Sequence, residues 1–245
     1  MCGIAGIIDY EHPTQTMCAP YVQAMQETLR RRGPDQKGIW KESFVTLIHS
    51  RLSIVDLEGG RQPMMRGSCC IVYNGELYNT QELRAELLAR GRQLSTHSDT
   101  EVILQSYLEW KEACVEKFNG IFAFAIWDTY RKELFIARDP MGVKPLFYTM
   151  CKDAFLFGSE IKSFLEHPSF VKAVNHQALR PYLTMQFPAT DETFFAGVYK
   201  LPPAHCFTYD IATGALNIRR YWECDFSDDN SKTFDQYVDE CDRVV

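Results

Sequence analysis

Short apolar runs recur along this chain, and their lengths and spacing predict a protein rich in β-strands. The first run, residues 3–8, contains only apolar or small side chains, which is typical of a strand buried on both faces. β-Forming residues predict further strands at 44–49, 69–73, 121–127, 133–137, 146–149 and 155–157. The 69–73 run ends in Asn74-Gly75, a dipeptide that predicts a turn. Short polar turns separate the last four runs, so we expect those strands to pair antiparallel.

Helical patterns lie between and around the strands. Asn-Thr-Gln-Glu at 79–82 and Ser-Asp-Thr-Glu at 98–101 each have the form of a capping box, and both precede residues with helical spacing. Further helices are predicted at 20–31, at 159–165 and after Asn175, and a hairpin is predicted around 210–214. Strand-rich blocks flanked by helices indicate an α+β fold in which helices cover antiparallel sheets.

The composition changes near the end of the sequence. Residues 225–231 are polar and acidic, as in a linker, and a new helical pattern begins at Phe234 with little chain after it. We therefore expect one domain over 1–210, and over 211–245 a linker with the truncated start of a second domain. A chain that ends on a new element is expected to be a fragment of something longer.

Composition and charge exclude several classes of protein. The chain has 245 residues and a net charge of −6, which disfavours nucleic acid as a partner because phosphate binding needs a basic surface. The longest apolar run, 121–127, is too short to cross a bilayer, and no secretion signal precedes it, so a cytoplasmic location is expected. The nine cysteines have neither regular spacing nor a Cys-x-x-Cys pair, which argues against a disulfide framework and a metal site.

Cys2 is the residue with the clearest chemical potential. If Met1 is removed, Cys2 carries both a thiol and a free α-amine, whose ordinary pKa values are about 8.5 and about 7.7–8.0. Each group can then assist the other near neutral pH, and one residue supplies both nucleophile and general base, as in N-terminal-nucleophile hydrolases. The alternative is a cysteine at position 2 without a catalytic role.

A series of motifs in a fixed order decides between these alternatives. In chain order they are Met-Cys-Gly-Ile (1–4), Arg-Arg-Gly-Pro-Asp (31–35), Arg-Leu-Ser-Ile-Val-Asp (51–56), Tyr-Asn-Gly-Glu-Leu-Tyr-Asn (73–79), Ser-Asp-Thr-Glu (98–101), Gly-Ile-Phe-Ala-Phe-Ala (120–125), Ala-Arg-Asp-Pro-Met-Gly-Val-Lys-Pro-Leu-Phe-Tyr (137–148), Phe-Gly-Ser-Glu-Ile-Lys (157–162) and Leu-Pro-Pro-Ala-His (201–205). Together they resemble the class II glutamine amidotransferases, and among them the glutaminase domain of asparagine synthetase. The last motif more commonly reads Leu-Pro-Pro-Gly-His in that family.

The resemblance implies a four-layer αββα sandwich of two antiparallel sheets, the N-terminal-nucleophile hydrolase type, and hydrolysis of glutamine to glutamate and ammonia. It implies Cys2 as the nucleophile and the Asn74 amide with the Gly75 N–H as the oxyanion hole. Arg51 would bind the substrate α-carboxylate, and Asp99 would bind the α-ammonium with Glu76 beside it. Leu52, Ser53, Ile54 and Val55 would form the pocket wall. The alternatives are a plain Asn-Gly turn for 74–75 and a helix-dipole role for Asp99.

The resemblance also implies partners. L-Glutamine would be the substrate, and a synthetase domain, in cis or in trans, would use the ammonia with ATP and Mg²⁺; no cofactor is expected in this chain. The Ser-Gly-Gly-x-Asp-Ser pyrophosphate loop of that domain is missing here. A homodimer is a candidate assembly. Arg138, Asp139 and Lys144 are expected to form structural salt bridges or to contact a second domain. The alternatives left open are an amidotransferase with another acceptor and a catalytically silent docking domain.

Overall fold

The computed structural model describes residues 1–10, 19–54, 56–186, 190–227 and 231–244, and these form two six-stranded antiparallel sheets. Sheet A has the strand order β10-β8-β9-β1-β3-β2, and sheet B has the order β12-β11-β7-β6-β5-β4. The strands are β1 (Gly3–Asp9), β2 (Gln36–Glu42), β3 (Val45–Arg51), β4 (Met64–Arg66), β5 (Cys69–Leu77), β6 (Gly120–Asp128), β7 (Glu133–Arg138), β8 (Phe147–Met150), β9 (Ala154–Gly158), β10 (Val198–Lys200), β11 (His205–Asp210) and β12 (Leu216–Arg220).

The described residues also form five α-helices. They are α1 (Ala19–Thr28), α2 (Thr80–Ala89), α3 (Asp99–Trp110), α4 (His176–Met185) and α5 (Phe234–Val244), with 3₁₀ helices at Lys111–Lys117 and Ile161–Glu166. One core cluster lies between sheet A and α1, and another lies between sheet B and the pair α2 and α3. The described residues contain no helix with the length and apolar character needed to span a membrane.

The third core cluster joins the two sheets. In β1, Ile4 and Ile8 belong to this inner cluster, whereas Ala5 and Ile7 belong to the cluster under α1, as the two-residue period of a strand requires. Sheet B contributes alternate residues to the same inner layer, among them Val72 of β5. Burying an aliphatic or aromatic side chain of this size stabilises a fold by about 1.5–3 kcal/mol. The layers therefore run helix, sheet A, sheet B, helix, and the predicted αββα sandwich is confirmed.

The turn predicted at Asn74-Gly75 is wrong. Strand β5 continues through both residues to Leu77 and pairs with β6 along its whole length. Glycine is needed at position 75 for a different reason, because a Cβ there would lie 2.3 Å from the carbonyl oxygen of Ile121. The dipeptide therefore permits a close approach of two strands rather than a change of chain direction.

The two predicted capping boxes differ from each other in the structure. The Ser98 hydroxyl accepts a hydrogen bond from the Thr100 N–H at 3.2 Å, so the cap at the start of α3 is confirmed. Asn79 makes no such cap for α2, and its Oδ1 instead accepts from the N–H of Asn119 at 3.0 Å. Its side chain ties the start of α2 to the segment that precedes β6.

Strands β2 and β12 differ from what the sequence predicted. Strand β2 was not predicted, because its exposed and half-buried residues alternate at the edge of sheet A. Strand β12 pairs with β11 inside sheet B, so strand pairing continues beyond the domain boundary that we predicted after residue 210. That boundary stays a prediction. Residues 55, 228–230 and 245 lie outside the described residues, and with them the predicted roles of Val55 and part of the linker.

Candidate active site

A cavity of about 110 Å³ opens where β1 and β3 of sheet A meet β5 of sheet B. Of the residues predicted to form the site, it is lined by Cys2, Arg51, Leu52, Ile54, Asn74, Gly75, Glu76 and Asp99. Seven further residues complete the wall: Met1, Gly60, Gln62, Tyr73, Ser98, Thr100 and Lys144. Ser53 is not on this wall; its backbone N–H donates to the Asp35 carboxylate at 2.7 Å.

Cys2 stands immediately before β1, at one end of the sandwich. Its neighbour Gly3 pairs with Ser50 of β3, which brings Cys2 beside Arg51. The two-residue period gives Cys2 the same orientation as Ile4, toward sheet B. The Cys2 thiol contacts the Leu52 carbonyl oxygen at 3.6 Å, and Arg32 Nε donates to the Cys2 carbonyl at 2.9 Å. The N-terminal residues are thus held on both sides.

The surroundings of the Cys2 thiol act on its pKa in opposite directions. Burial raises the pKa of this thiol, and the positive charges of the Met1 amino group and of Arg51 counteract part of that shift. In this form of the chain the Cys2 nitrogen belongs to a peptide bond with Met1, and Met1 itself contributes to the pocket wall. The amine of Cys2 becomes available only after Met1 is removed.

Asn74 carries an unsatisfied donor into the pocket region. The residue is 1% exposed, and its amide nitrogen has no hydrogen-bond partner among the described residues. Buried polar groups in proteins are nearly always hydrogen-bonded, and leaving one unpaired costs about 1–3 kcal/mol. An orphaned amide on a pocket wall is therefore a donor prepared for a ligand.

The Gly75 N–H points to the same pocket, as the register of β5 indicates. The Tyr73 N–H donates to Gln62 Oε1 at 2.6 Å, and the Leu77 N–H donates to Asp99 Oδ2 at 3.3 Å. Both acceptors lie on the edge of β5 that faces away from β6, and Gly75 sits two residues from each donor. Successive N–H groups of one parity point to the same side of a strand. The strand therefore directs the donors of both Asn74 and Gly75 toward the space beside Cys2.

Asp99 provides a carboxylate at the start of α3. Its Oδ2 accepts from the Tyr73 hydroxyl at 2.8 Å as well as from Leu77, and both donors are neutral. Burial raises the pKa of this carboxyl, and the hydrogen bonds from Tyr73 and Leu77 offset this only in part. A bound cation such as an α-ammonium would compensate this charge. The helix start and the pocket role coincide, since α3 fixes the carboxylate in the wall.

Arg51 lies on the opposite wall and is 4% exposed. Its Nη1 donates to Gln36 Oε1 at 2.9 Å and to the Leu57 carbonyl at 3.0 Å, and its Nη2 donates to the Asp56 carbonyl at 2.7 Å. The guanidinium thus holds the backbone of the loop that follows β3. These three acceptors are neutral. Its binding of the substrate α-carboxylate stays a prediction.

Gln62 and Lys144 are two of the seven wall residues that were not predicted to form the site. Gln62 accepts from the Tyr73 N–H and donates from Nε2 to Thr100 Oγ1 at 3.1 Å, so one side chain connects β5 to α3. No sequence signal marks this glutamine. Lys144 was expected to serve structure outside the pocket, yet it lines the cavity and is 7% exposed. Its neighbours in the motif do have structural roles, but they bond to backbone atoms rather than to each other's side chains.

His49 is a buried, neutral histidine beside the pocket. His49 is 1% exposed, and its Nε2 lies 3.1 Å from the Tyr73 carbonyl oxygen. Because a carbonyl can only accept, Nε2 carries the proton, and burial lowers the pKa of His49 to about 4. This neutral histidine connects sheet A to β5 beside Asn74. Among the described residues no group of three or more acidic, histidine or cysteine side chains is placed to hold a metal ion.

Comparison with known proteins identifies the family. A sequence model of the glutamine amidotransferase domain matches residues 1–222. The chain belongs to this family. This amidotransferase domain is 47% identical to asparagine synthetase [glutamine-hydrolyzing] 3 of Bacillus subtilis over 97% of its own length and 39% of that relative's. It is 32% identical to a putative asparagine synthetase [glutamine-hydrolyzing] 2 of Methanocaldococcus jannaschii, over 91% of this chain and 47% of the relative. It therefore spans less than half of either relative.

Solved structures support the fold. Glutamine phosphoribosylpyrophosphate amidotransferase from Bacillus subtilis superposes with a TM-score of 0.65, at 19% identity, over 90% of this chain and 49% of that one. A likeness at this identity concerns the fold alone. The family match and the sequence identity make this chain a class II amidotransferase domain close to the N-terminal domains of asparagine synthetases.

Proposed function

We propose that this chain is the glutaminase domain of a glutamine-hydrolysing asparagine synthetase, with Cys2 as its nucleophile. One observation carries the proposal: the Cys2 thiol shares a pocket with the orphaned amide of Asn74 and the outward N–H of Gly75. A nucleophile beside two uncommitted donors suits addition to a carbonyl group and stabilisation of the oxyanion that results.

Binding of L-glutamine would use charged side chains of the pocket wall. Asp99 would receive the α-ammonium, whose charge compensates a carboxylate that otherwise contacts only neutral donors. Arg51 would face the α-carboxylate, and Glu76, which is exposed at the rim, would add negative charge near the ammonium. Leu52 and Ile54 would shape the wall around the aliphatic part of the substrate.

The reaction would proceed in two stages after Met1 is removed. The Cys2 thiol loses its proton to the Cys2 amine, directly or through water, as its sulfur adds to the side-chain carbonyl carbon of glutamine. The oxyanion is held by Asn74 Nδ2 and the Gly75 N–H until the C–N bond breaks and ammonia leaves with the proton. Water then hydrolyses the γ-glutamyl thioester to glutamate and regenerates the thiol.

The ammonia would be consumed by a synthetase domain that amidates aspartate with ATP and Mg²⁺, in the same chain or in a partner, in the cytoplasm. The 47% identity with an asparagine synthetase supports this acceptor. An acceptor other than aspartate is the alternative within the enzyme class. A silent docking domain is the alternative outside it, and the Met1 residue on the pocket wall favours that function wherever Met1 is retained.

A glutaminase assay combined with intact-mass analysis tests the proposal. The chain shown by mass to lack Met1 should release glutamate and ammonia from glutamine, and Cys2→Ala should reduce turnover by at least about 10³-fold. Cys224→Ala is the matched control, because this free cysteine is exposed and absent from the pocket wall. Turnover that survives Cys2→Ala would rule out Cys2 as the nucleophile, whereas silence of the trimmed chain would support the docking function.

The acceptor needs its own test. Assayed with glutamine, ATP and Mg²⁺ in the presence of the synthetase domain, aspartate should be converted to asparagine. If glutamine hydrolysis proceeds but aspartate is not amidated, the glutaminase assignment stands and the acceptor is a different carboxylate.

A further inference from the structure

Lys144 is a buried cation on the wall of the active-site pocket. It is 7% exposed, and lysines are seldom buried to this extent unless they are paired. Among the described residues its ammonium has neither a hydrogen-bond acceptor nor a carboxylate within 4.0 Å. An ammonium that no protein group pairs is available to a ligand that enters the pocket.

The backbone that carries Lys144 is fixed. Its N–H donates to Asp139 Oδ2 at 3.0 Å, and its carbonyl accepts from Arg138 Nε at 2.7 Å. Asp139 is fully buried and also accepts from the N–H groups of Met141 and Val143. The loop after β7 is therefore tied down at several points, and the lysine side chain is the part left uncommitted.

The strand register places Lys144 at one end of the pocket. Asn74 of β5 pairs with Ala123 of β6, which pairs with Arg138 of β7, and Arg138 contacts Lys144. Asp99 approaches β5 from its other edge, where it accepts from Leu77. Neighbouring strands lie about 4.7–4.9 Å apart. The order across the pocket is therefore Asp99, then the donors of Asn74 and Gly75, then Lys144.

This order gives Lys144 a chemical task in the proposed glutaminase reaction, on which the inference rests. The α-ammonium of the substrate lies at the Asp99 end, so its γ-amide extends past the oxyanion donors toward the lysine. The amide is neutral, but hydrolysis of the thioester leaves a γ-carboxylate, whose ordinary pKa is about 4.3. We infer that Lys144 binds the γ-carboxylate of the glutamate product through a charge-assisted hydrogen bond.

Ligand binding to a chain that cannot turn over glutamine tests this inference. In a Cys2→Ala background, titration calorimetry should give a Kd for glutamate that rises about tenfold when Lys144 is changed to Met, as expected for loss of a charge-assisted hydrogen bond. The Kd for glutamine should change by less than about twofold, because a neutral amide gains little from the ammonium. Lys144→Arg should restore tight glutamate binding. Lys152→Met, at an exposed position, is the matched control.

The effect of Lys144→Met on the Kd for glutamate, compared with its effect on the Kd for glutamine, decides whether the inference holds. If Lys144→Met weakens both ligands equally or neither of them, the lysine does not recognise the product carboxylate and the inference is wrong. If Lys144→Met does not fold, as judged by thermal unfolding, Lys144→Gln is measured in its place by the same ratio. If the Cys2→Ala chain with Lys144 intact binds neither ligand, the proposed glutaminase function fails as well, which separates the two failures.

Discussion

The two faces of the first turn of α3 show how this domain separates its scaffold from its site. On the face away from the pocket, Glu101 is fully buried and accepts hydrogen bonds from Ser95, Thr96 and Arg66. Burial alone would raise its pKa, but these bonds lower the pKa of Glu101 to about 2. On the pocket face, burial raises the pKa of Asp99, which contacts only neutral donors. Two carboxylates two residues apart thus have opposite roles.

The same contrast separates two asparagines of one motif. Asn79 uses both polar atoms of its side chain, since Nδ2 donates to the Lys117 carbonyl at 2.9 Å and Oδ1 accepts from Asn119. Asn74 leaves its amide nitrogen without a partner among the described residues. In this pair, the asparagine with satisfied hydrogen bonds belongs to the scaffold, and the one with an unpaired amide nitrogen belongs to the pocket wall. Substitutions at such matched pairs should therefore separate activity from stability.

The largest effect is expected at Asn74. Asn74→Ala should lower kcat by about 10²–10³-fold, the usual loss on removing one oxyanion donor, with little change in the free energy of unfolding. Asn79→Ala should do the reverse and lower stability by about 1 kcal/mol at constant kcat. Steady-state glutaminase kinetics and denaturant unfolding of both variants check this pair. A loss of stability without a loss of kcat at Asn74 would contradict its role as a donor.

Glu101 should affect folding rather than catalysis. Glu101→Gln should lower the free energy of unfolding by about 2–3 kcal/mol, because it places an amide N–H₂ against donors that need an acceptor and leaves Arg66 unpaired. Glu27→Gln is the control, since the exposed ion pair of Glu27 with Lys37 should contribute little to stability. Denaturant titration gives both values. If both substitutions change the free energy of unfolding by the same small amount, Glu101 does not stabilise the fold.

Asp99 should affect substrate capture. Asp99→Asn should raise the KM for glutamine about 10–100-fold through loss of a charge-assisted hydrogen bond, while the free energy of unfolding holds or rises slightly. Because burial raises the pKa of Asp99, the KM of the wild type should begin to increase at a pH above the ordinary Asp range as pH falls. The variant should lack this increase. Kinetics across pH test both statements, and a pure loss of stability would leave only the helix-dipole role.

The smallest effect concerns His49. The pKa of His49 is lowered to about 4 in the folded state, against about 6.5 unfolded. Between these values the unfolded chain binds a proton that the folded chain does not, so the His49 contribution to stability falls by about 2 kcal/mol from pH 7 to pH 5. His49→Gln should show a smaller loss over this range, and the exposed His97→Gln should match the wild type. If all three chains lose the same stability between pH 7 and pH 5, His49 is not held neutral by burial.

Much of this architecture could be predicted from the sequence, because strands buried on both faces produce apolar runs such as 3–8 and 121–127. The motif series located most of the pocket wall. The failures share one cause, which is contact between residues distant in the chain. Asn74-Gly75 has the local chemistry of a turn, yet pairing with β6 overrides it. Gln62 lies outside the motif series, and Lys144 lies within it but was expected to have a structural role. Their places on the wall depend on Tyr73, Thr100 and the loop after β7.

Covalent labelling tests whether the substrate acylates the Cys2 thiol. An electrophilic glutamine analogue, such as a diazoketone, is incubated with chain shown by intact mass to lack Met1. We expect one adduct, located at Cys2 by peptide mapping, formed more slowly in excess glutamine and absent from Cys2→Ala. Failure to label Cys2 in trimmed, folded chain, or labelling that glutamine does not slow, would contradict acylation of Cys2.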